Sequence, residues 1–121
     1  MSNSRRKIQA ARVYDASDTS NCFRVLVDRL WPRGVRKEDL QIDAWWKEIA
    51  PSEQLRQWFN HDPDRWSEFR KRYFTELDNH RKTLSELLEA AGDQPILLLY
   101  AAKDARYNNA IALKEYLTES T

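Results

Sequence analysis

Three short apolar segments of the chain have the length and the pattern of β-strands. The first, residues 7–14, alternates apolar and polar side chains imperfectly, whereas Val25-Leu26-Val27 and Ile96-Leu97-Leu98-Leu99 are unbroken apolar runs. Unbroken runs of this length are typical of strands that are buried on both faces of a sheet. We therefore predict a first strand within residues 7–14, a second over residues 23–28 and a third over residues 95–101.

The region between the second and third predicted strands has helical periodicity. Asp43, Ser52 and Asp62 are predicted to cap helices, because their side chains accept hydrogen bonds from the free N–H groups of a first helical turn. Pro63 suits the first position of the third of these helices, and Gly92 suits its end. The predicted helices are a short one between Asp43 and Pro51, one over 53–59, either one or two broken near Asp78-Asn79 over 63–91, and a last one over about 108–118.

The connections between the predicted strands determine the expected topology. A helical stretch long enough for a right-handed crossover separates the second and third strands, so we expect these two to be parallel. The polar segment 15–21 is too short for such a crossover, so a first strand that pairs with the second would be antiparallel to it. We predict a single α/β domain over residues 7–121, with a three-stranded mixed sheet and about five helices, preceded by a disordered basic arm over residues 1–6.

Composition narrows the function classes. The chain has 121 residues and a formal net charge of +1, which gives no global electrostatic reason to bind nucleic acid or an acidic membrane. Cys22 is the only cysteine, which excludes an internal disulfide and a thiolate zinc cluster and fits a reducing compartment. We expect a cytoplasmic protein without a membrane-spanning segment or a signal peptide. Gly34 and Gly92 are the only glycines, which argues against a glycine-rich phosphate loop.

Charged side chains follow both predicted core strands. Because the carboxyl ends of parallel strands share one edge of a sheet, the loops 28–33 and 103–109 should meet beside a helix N-terminus, where an anion is favoured. Within a strand that extends to residue 28, Asp28 and Arg29 would lie on opposite faces. The predicted catalytic acid/base residues are Asp28 and Asp104, and the predicted ligand-binding residues are Arg29, Trp31, Arg33, Lys103, Arg106, Asn108 and Asn109.

A less specific interpretation of the same loops remains open. Their charges would pair with one another, and Trp31 would close the end of the sheet. His61 and His80 have no second ligand at metal spacing, so we predict neither a metal ion nor a cofactor.

The segment from Arg24 to Gly34 resembles the opening signature of the YeaO-like proteins, a bacterial family of unknown function, DUF488. The segments Ala50-Pro51-Ser52 and Leu98–Asp104 are similar to later blocks of that family. The resemblance implies a small cytoplasmic α/β protein and no established reaction. YeaO-like proteins usually have a histidine where this chain has Asn109, and relatives in the wider family have Cys-His-Arg in place of Asn108-Asn109-Ala110. A thiol-based reaction therefore cannot be carried over, because an amide is not a nucleophile.

Three functional hypotheses follow from the sequence. The first is binding of a small anionic ligand, a nucleotide or phosphorylated metabolite, at the two strand ends, with a catalytic version in which Asp28 or Asp104 is the general base. The second is nucleic-acid binding or regulation through the arginine loop and the residues Arg5, Arg6, Lys7 and Arg12. The third is a non-catalytic structural or interaction module.

Overall fold

A computed structural model describes residues 7–15 and 21–119 of the chain. Within these residues, four parallel strands form one sheet in the order β1-β4-β2-β3. The strands are β1 (Ile8–Arg12), β2 (Phe23–Leu26), β3 (Ala44–Trp45) and β4 (Ile96–Tyr100). The α-helices are α1 (Glu53–Phe59), α2 (Trp66–Asp78), α3 (Arg81–Ala91) and α4 (Asn109–Glu119), and two 3-10 turns cover Lys47–Ile49 and Pro63–Arg65.

The predicted parallel pairing of the two core strands is confirmed, and the antiparallel first strand is wrong. β4 lies between β1 and β2 and pairs with both, with Ile96 opposite Ile8 on one side and opposite Phe23 on the other. The prediction failed because it assumed that β1 pairs directly with β2. A five-residue strand is about 17 Å long, and a connection of ten residues, 13–22, has a maximum reach of about 33 Å, so chain length alone permits a parallel return.

The predicted helix between Asp43 and Pro51 is also wrong, because this segment adds an edge strand to the sheet. The Asp43 carboxylate accepts a hydrogen bond from the backbone N–H of Arg24 at 2.8 Å instead of capping a helix. The backbone N–H of Trp46 donates to the carbonyl of Leu26 at 2.8 Å, which extends the pairing of β3 with β2. Only a 3-10 turn, Lys47–Ile49, is helical here.

The other predicted helix ends are confirmed. Ser52 caps α1 by accepting from the N–H of Leu55 at 3.1 Å, and Asp62 caps the 3-10 turn that leads into α2. The long apolar stripe is divided between α2 and α3, which meet at Asn79 and His80, and Gly92 ends α3 at φ 64°. None of the helices in the described ranges is long and apolar enough to cross a membrane.

The two faces of the sheet are covered in different ways. Buried side chains of all four helices pack with Val25, Val27 and Leu98 on one face. On the other face, Leu26 and Leu99 pack against the long connection between β2 and β3, which contributes Trp31, Val35, Leu40 and Ile42. Because this connection follows β2, it begins at the carboxyl edge of the sheet, where the candidate site lies. The predicted basic arm, residues 1–6, lies outside the described residues.

Candidate functional site

A cavity of about 610 Å³ lies at the carboxyl ends of β2 and β4. Three chain segments line it, together with Phe69 of α2: residues 28–33 after β2, residues 51–61 around α1, and residues 101–109 between β4 and α4. The two loops that the sequence predicts to be neighbours therefore share one cavity. The residues predicted from sequence that line it are Asp28, Arg29, Trp31, Arg33, Lys103, Asp104, Asn108 and Asn109, whereas Arg106 is not part of the lining.

Asp28 connects the two strand ends. One carboxylate oxygen accepts from the backbone N–H of Ala101 at 2.9 Å, and the other accepts from Nδ2 of Asn109 at 3.0 Å. The same Nδ2 also donates to the carbonyl of Val27 at 2.9 Å. Burial raises the pKa of Asp28 above its ordinary value, although both of these hydrogen bonds and the nearby charge of Arg56 lower it.

The expectation that Asp28 and Arg29 lie on opposite faces is wrong, because β2 ends at Leu26 and strict alternation ends with it. Both side chains line the cavity. Arg29 Nε donates to the carbonyl of Pro51 at 3.2 Å, and Nη2 contacts the carbonyl of Ala50 at 3.4 Å. Arg29 therefore connects the loop after β2 to the segment that begins α1.

Trp31 combines a packing role with a place in the cavity wall. Its ring packs edge-on against Trp45, with the ring centroids 5.5 Å apart, and its Nε1 donates to the carbonyl of Val35 at 2.6 Å. Trp45 Nε1 in turn donates to the carbonyl of Asp28 at 2.7 Å. The predicted closure of the sheet end by Trp31 agrees with this packing, and Trp31 also lines the cavity.

Asp104 and Asn108 form the turn that precedes α4. Asp104 Oδ1 accepts from the backbone N–H groups of Arg106 and Tyr107, at 2.8 and 3.1 Å. These two bonds are the main reason why the pKa of Asp104 is lowered, which makes its carboxylate a weaker base. Asn108 donates to the carbonyl of Asp104 at 2.8 Å and caps α4 by accepting from the N–H of Ile111 at 3.0 Å.

The cations of the cavity are not paired with its carboxylates. In the described part of the chain, the ion pairs within 4.0 Å involve other residues, such as Arg36 with Asp39 at 3.1 Å. None of them includes a cation that lines the cavity, so the alternative in which the two loops neutralise each other is wrong. The cationic side chains in the lining are Arg29, Arg33, Arg56 and Lys103.

The third wall of the cavity is not predicted by the sequence. It contributes Arg56 and Phe59 from α1 and His61 from the link that follows. Asn60 and His61 both have left-handed backbone conformations, with φ 48° and 56°, which are uncommon for residues with a side chain. The Ser52 cap predicted the helix, but no local pattern indicates that its charged side chains face the ends of β2 and β4.

Comparisons with known proteins identify the family. A family profile described as the inactive DUF488-N3 subclade matches residues 7–121. The chain belongs to the DUF488 family. It is 44% identical over 110 residues to the "Uncharacterized protein YeaO" of Escherichia coli (strain K12). The aligned residues are 91% of this chain and 96% of that protein.

The resemblance of this DUF488 chain to YeaO-like proteins is thereby confirmed. Another relative, the "Uncharacterized protein Rv3073c" of Mycobacterium tuberculosis (strain ATCC 25618 / H37Rv), is 38% identical over 111 residues, which are 92% of this chain and 93% of that protein. No solved structure matches the chain significantly. The comparisons therefore establish a family and supply no reaction.

Proposed function

We propose that this DUF488 domain binds a small anionic ligand in the cavity at the ends of β2 and β4, and that it does so without catalysing a reaction. One observation carries the proposal: four cationic side chains line one cavity, and none of them makes an ion pair within the described residues. Arginine and lysine side chains that line a shared space without an ion pair within 4.0 Å favour an anion there, although the charge of Arg56 also lowers the pKa of Asp28.

The start of α4 supports the same proposal. Asn108 and Asn109, at the start of this eleven-residue helix, line the cavity, and the positive end of the helix dipole favours negative charge nearby. Arg29 is partly engaged by backbone carbonyls, so Arg33, Arg56 and Lys103 are the principal candidates to contact the anion. In this account Asp28 positions Ala101 and Asn109.

The proposal of a non-catalytic site rests on the side chains that the lining contains. Among the described residues that form it there is no cysteine, serine or threonine, and Cys22 precedes β2, at the amino end of a strand whose carboxyl end borders the cavity. The lining therefore lacks the thiol and aliphatic hydroxyl groups that an adjacent base activates as nucleophiles. The description of the matching subclade as inactive agrees with this interpretation.

The second candidate function is catalysis at the same site, and the observation that favours it is the raised pKa of Asp28. Its raised pKa makes the carboxylate a stronger base than an ordinary aspartate. Both of its oxygens already accept hydrogen bonds, from Ala101 and Asn109, so proton abstraction would compete with contacts that hold the two strand ends together.

Nucleic-acid binding through the predicted basic residues receives less support. Arg12 Nε donates to the carbonyl of Ala102 at 3.1 Å, and its guanidinium lies 4.6 Å from the centre of the Tyr14 ring, so this cation is engaged within the fold. Lys7 is exposed, and Arg5 and Arg6 lie outside the described residues.

Thermal unfolding with inorganic phosphate tests the proposed function. Ligands that bind the folded state raise the melting temperature, so we expect phosphate to raise it at constant ionic strength relative to chloride. Arg33→Gln should abolish this increase. Arg36→Gln is the matched control, because Arg36 lies on the same connection, is exposed, pairs with Asp39 and does not line the cavity.

The control should retain the full increase. An equal response of the two variants, or no response of the unmodified protein to phosphate, would overturn the proposal.

A further inference from the structure

We infer that the ligand is a phosphate monoester of a planar aromatic group, rather than a free inorganic anion or an aliphatic phosphate. This inference rests on the proposed anion-binding function and specifies the chemical class of the ligand. The juxtaposition that carries it is repeated three times, because each of the three segments that line the cavity contributes both a cation and an aromatic ring.

The pairs can be named segment by segment. Residues 28–33 contribute Trp31 and Arg33, and residues 51–61 contribute Phe59 and Arg56. Residues 101–109 contribute Tyr107 and Lys103. A ligand that contacts all three segments therefore meets rings and cations together, as a planar ring with a phosphate group requires.

The aromatic side chains are held in place by their neighbours. Phe59 stacks on Phe69 with ring centroids 4.4 Å apart, and Tyr107 packs on Trp66 at 5.4 Å. Trp66 also stacks on Phe69 at 5.6 Å, so the four rings form one continuous cluster. Rigid rings lose little conformational entropy when a flat ligand packs against them, which favours an aromatic ligand over a flexible aliphatic one.

Charge and size specify the rest of the ligand. Four cationic side chains and two carboxylates, Asp28 and Asp104, line the cavity, which leaves an excess of two positive charges when both carboxylates are ionised. A phosphate monoester carries close to two negative charges at neutral pH. The volume of about 610 Å³ is within the range of pockets for whole organic ligands, and inorganic phosphate alone would leave most of it to water.

Calorimetric titration with three phosphate esters tests the inference. Methyl phosphate presents the anion alone, phenyl phosphate adds a planar ring, and cyclohexyl phosphate adds a saturated ring of similar size. At about pH 8 all three are dianions, because the second pKa of such esters is about 6. We expect phenyl phosphate to bind at least about tenfold more tightly than methyl phosphate and also more tightly than cyclohexyl phosphate.

Tyr107→Leu and Phe74→Leu form a matched pair of variants. Both replace a half-buried aromatic ring, but Phe74 packs on Tyr116, 5.3 Å away, and does not line the cavity. Tyr107→Leu should reduce the preference for phenyl over methyl phosphate by at least about threefold, whereas Phe74→Leu should preserve it.

The outcomes separate the inference from the proposed function. Equal affinity for methyl and phenyl phosphate, or for cyclohexyl and phenyl phosphate, would overturn the inference and leave anion binding intact. Equal effects of the two variants would also overturn it. If none of the three esters binds, both the inference and the proposed function are wrong.

Discussion

The aspartates of the two loops that meet at the cavity, Asp28 and Asp104, make different kinds of contacts. The loop after β2 is held by distant partners, since Asp28 bonds to Ala101 and Asn109, and Arg29 bonds to the carbonyl of Pro51. The loop after β4 takes part in the same long-range bonds at its two ends, Ala101 and Asn109, but the side chains of Asp104 and Asn108 between them make local bonds that reach no further than four residues along the chain. Long-range bonds connect whole elements, so their loss should affect more of the structure than the loss of local bonds.

Replacing the two aspartates by alanine should give the largest difference between the loops. Asp28→Ala leaves the N–H of Ala101 and Nδ2 of Asn109 without their acceptor, so we expect a loss of about 2 kcal/mol in the free energy of unfolding. Asp104→Ala removes the two side-chain hydrogen bonds of the turn before α4. It should lower the free energy of unfolding by about 1 kcal/mol, similar to the loss of a helix cap. Urea denaturation at neutral pH measures both values, and a larger loss for Asp104→Ala would contradict the comparison.

A double-mutant cycle sharpens the comparison by measuring how strongly each loop is coupled to the rest of the site. Asp28→Ala and Asn109→Ala should be non-additive by about 1 kcal/mol, because their side chains share a hydrogen bond at 3.0 Å across more than eighty residues of sequence. Asp104→Ala and Asn109→Ala should be additive to within about 0.5 kcal/mol. Equal coupling in both cycles would show that the long-range contact has no special role.

The pH dependence of stability should have opposite signs for the two carboxylates. The folded-state pKa of Asp28 is raised above 3.8, so its ionisation destabilises the fold as the pH rises from about 3.8 through that raised pKa. The folded-state pKa of Asp104 is lowered, so the stability that its charge contributes is present above pH 3.8 and is lost as the pH falls through the lowered pKa.

Replacing each aspartate by asparagine isolates these two contributions. As the pH falls, the unmodified protein should become more stable relative to Asp28→Asn, measured as the difference between their free energies of unfolding. As the pH falls, the unmodified protein should become less stable relative to Asp104→Asn. Slopes of the same sign would show that burial does not govern the ionisation of Asp28.

A smaller effect is expected at the left-handed residues of the third wall. Glycine adopts positive φ without the Cβ penalty, so Asn60→Gly and His61→Gly should each change the free energy of unfolding by less than about 1 kcal/mol. Only His61 lines the cavity, so only His61→Gly should also weaken binding of phosphate. Weaker phosphate binding by Asn60→Gly alone would remove His61 from the site.

The contrast between local and distant contacts also explains which features were predictable. Ser52, Asp62 and Gly92 act within a few residues of their own position, and the helix ends that they mark were predicted correctly. Asp43 was read in the same local way, but it bonds to Arg24 on a neighbouring strand, so the predicted helix was wrong.

The residues of the candidate site show the same difference between features that are encoded locally and features that depend on distant contacts. The lining by Asp28, Arg33 and Lys103 was predictable because two parallel strands end beside each other. Arg56 and Phe59 were missed because their place depends on how α1 packs against the sheet, which no spacing along the chain encodes.

Anion binding at the carboxyl ends of β2 and β4 is tested most directly by a nuclear magnetic resonance titration of the ¹⁵N-labelled protein with inorganic phosphate. We expect saturable shifts concentrated in the backbone amides of residues 28–33 and 101–109, with smaller changes elsewhere. Shifts that are absent, or that spread evenly over exposed lysines and arginines far from the cavity, would contradict this expectation.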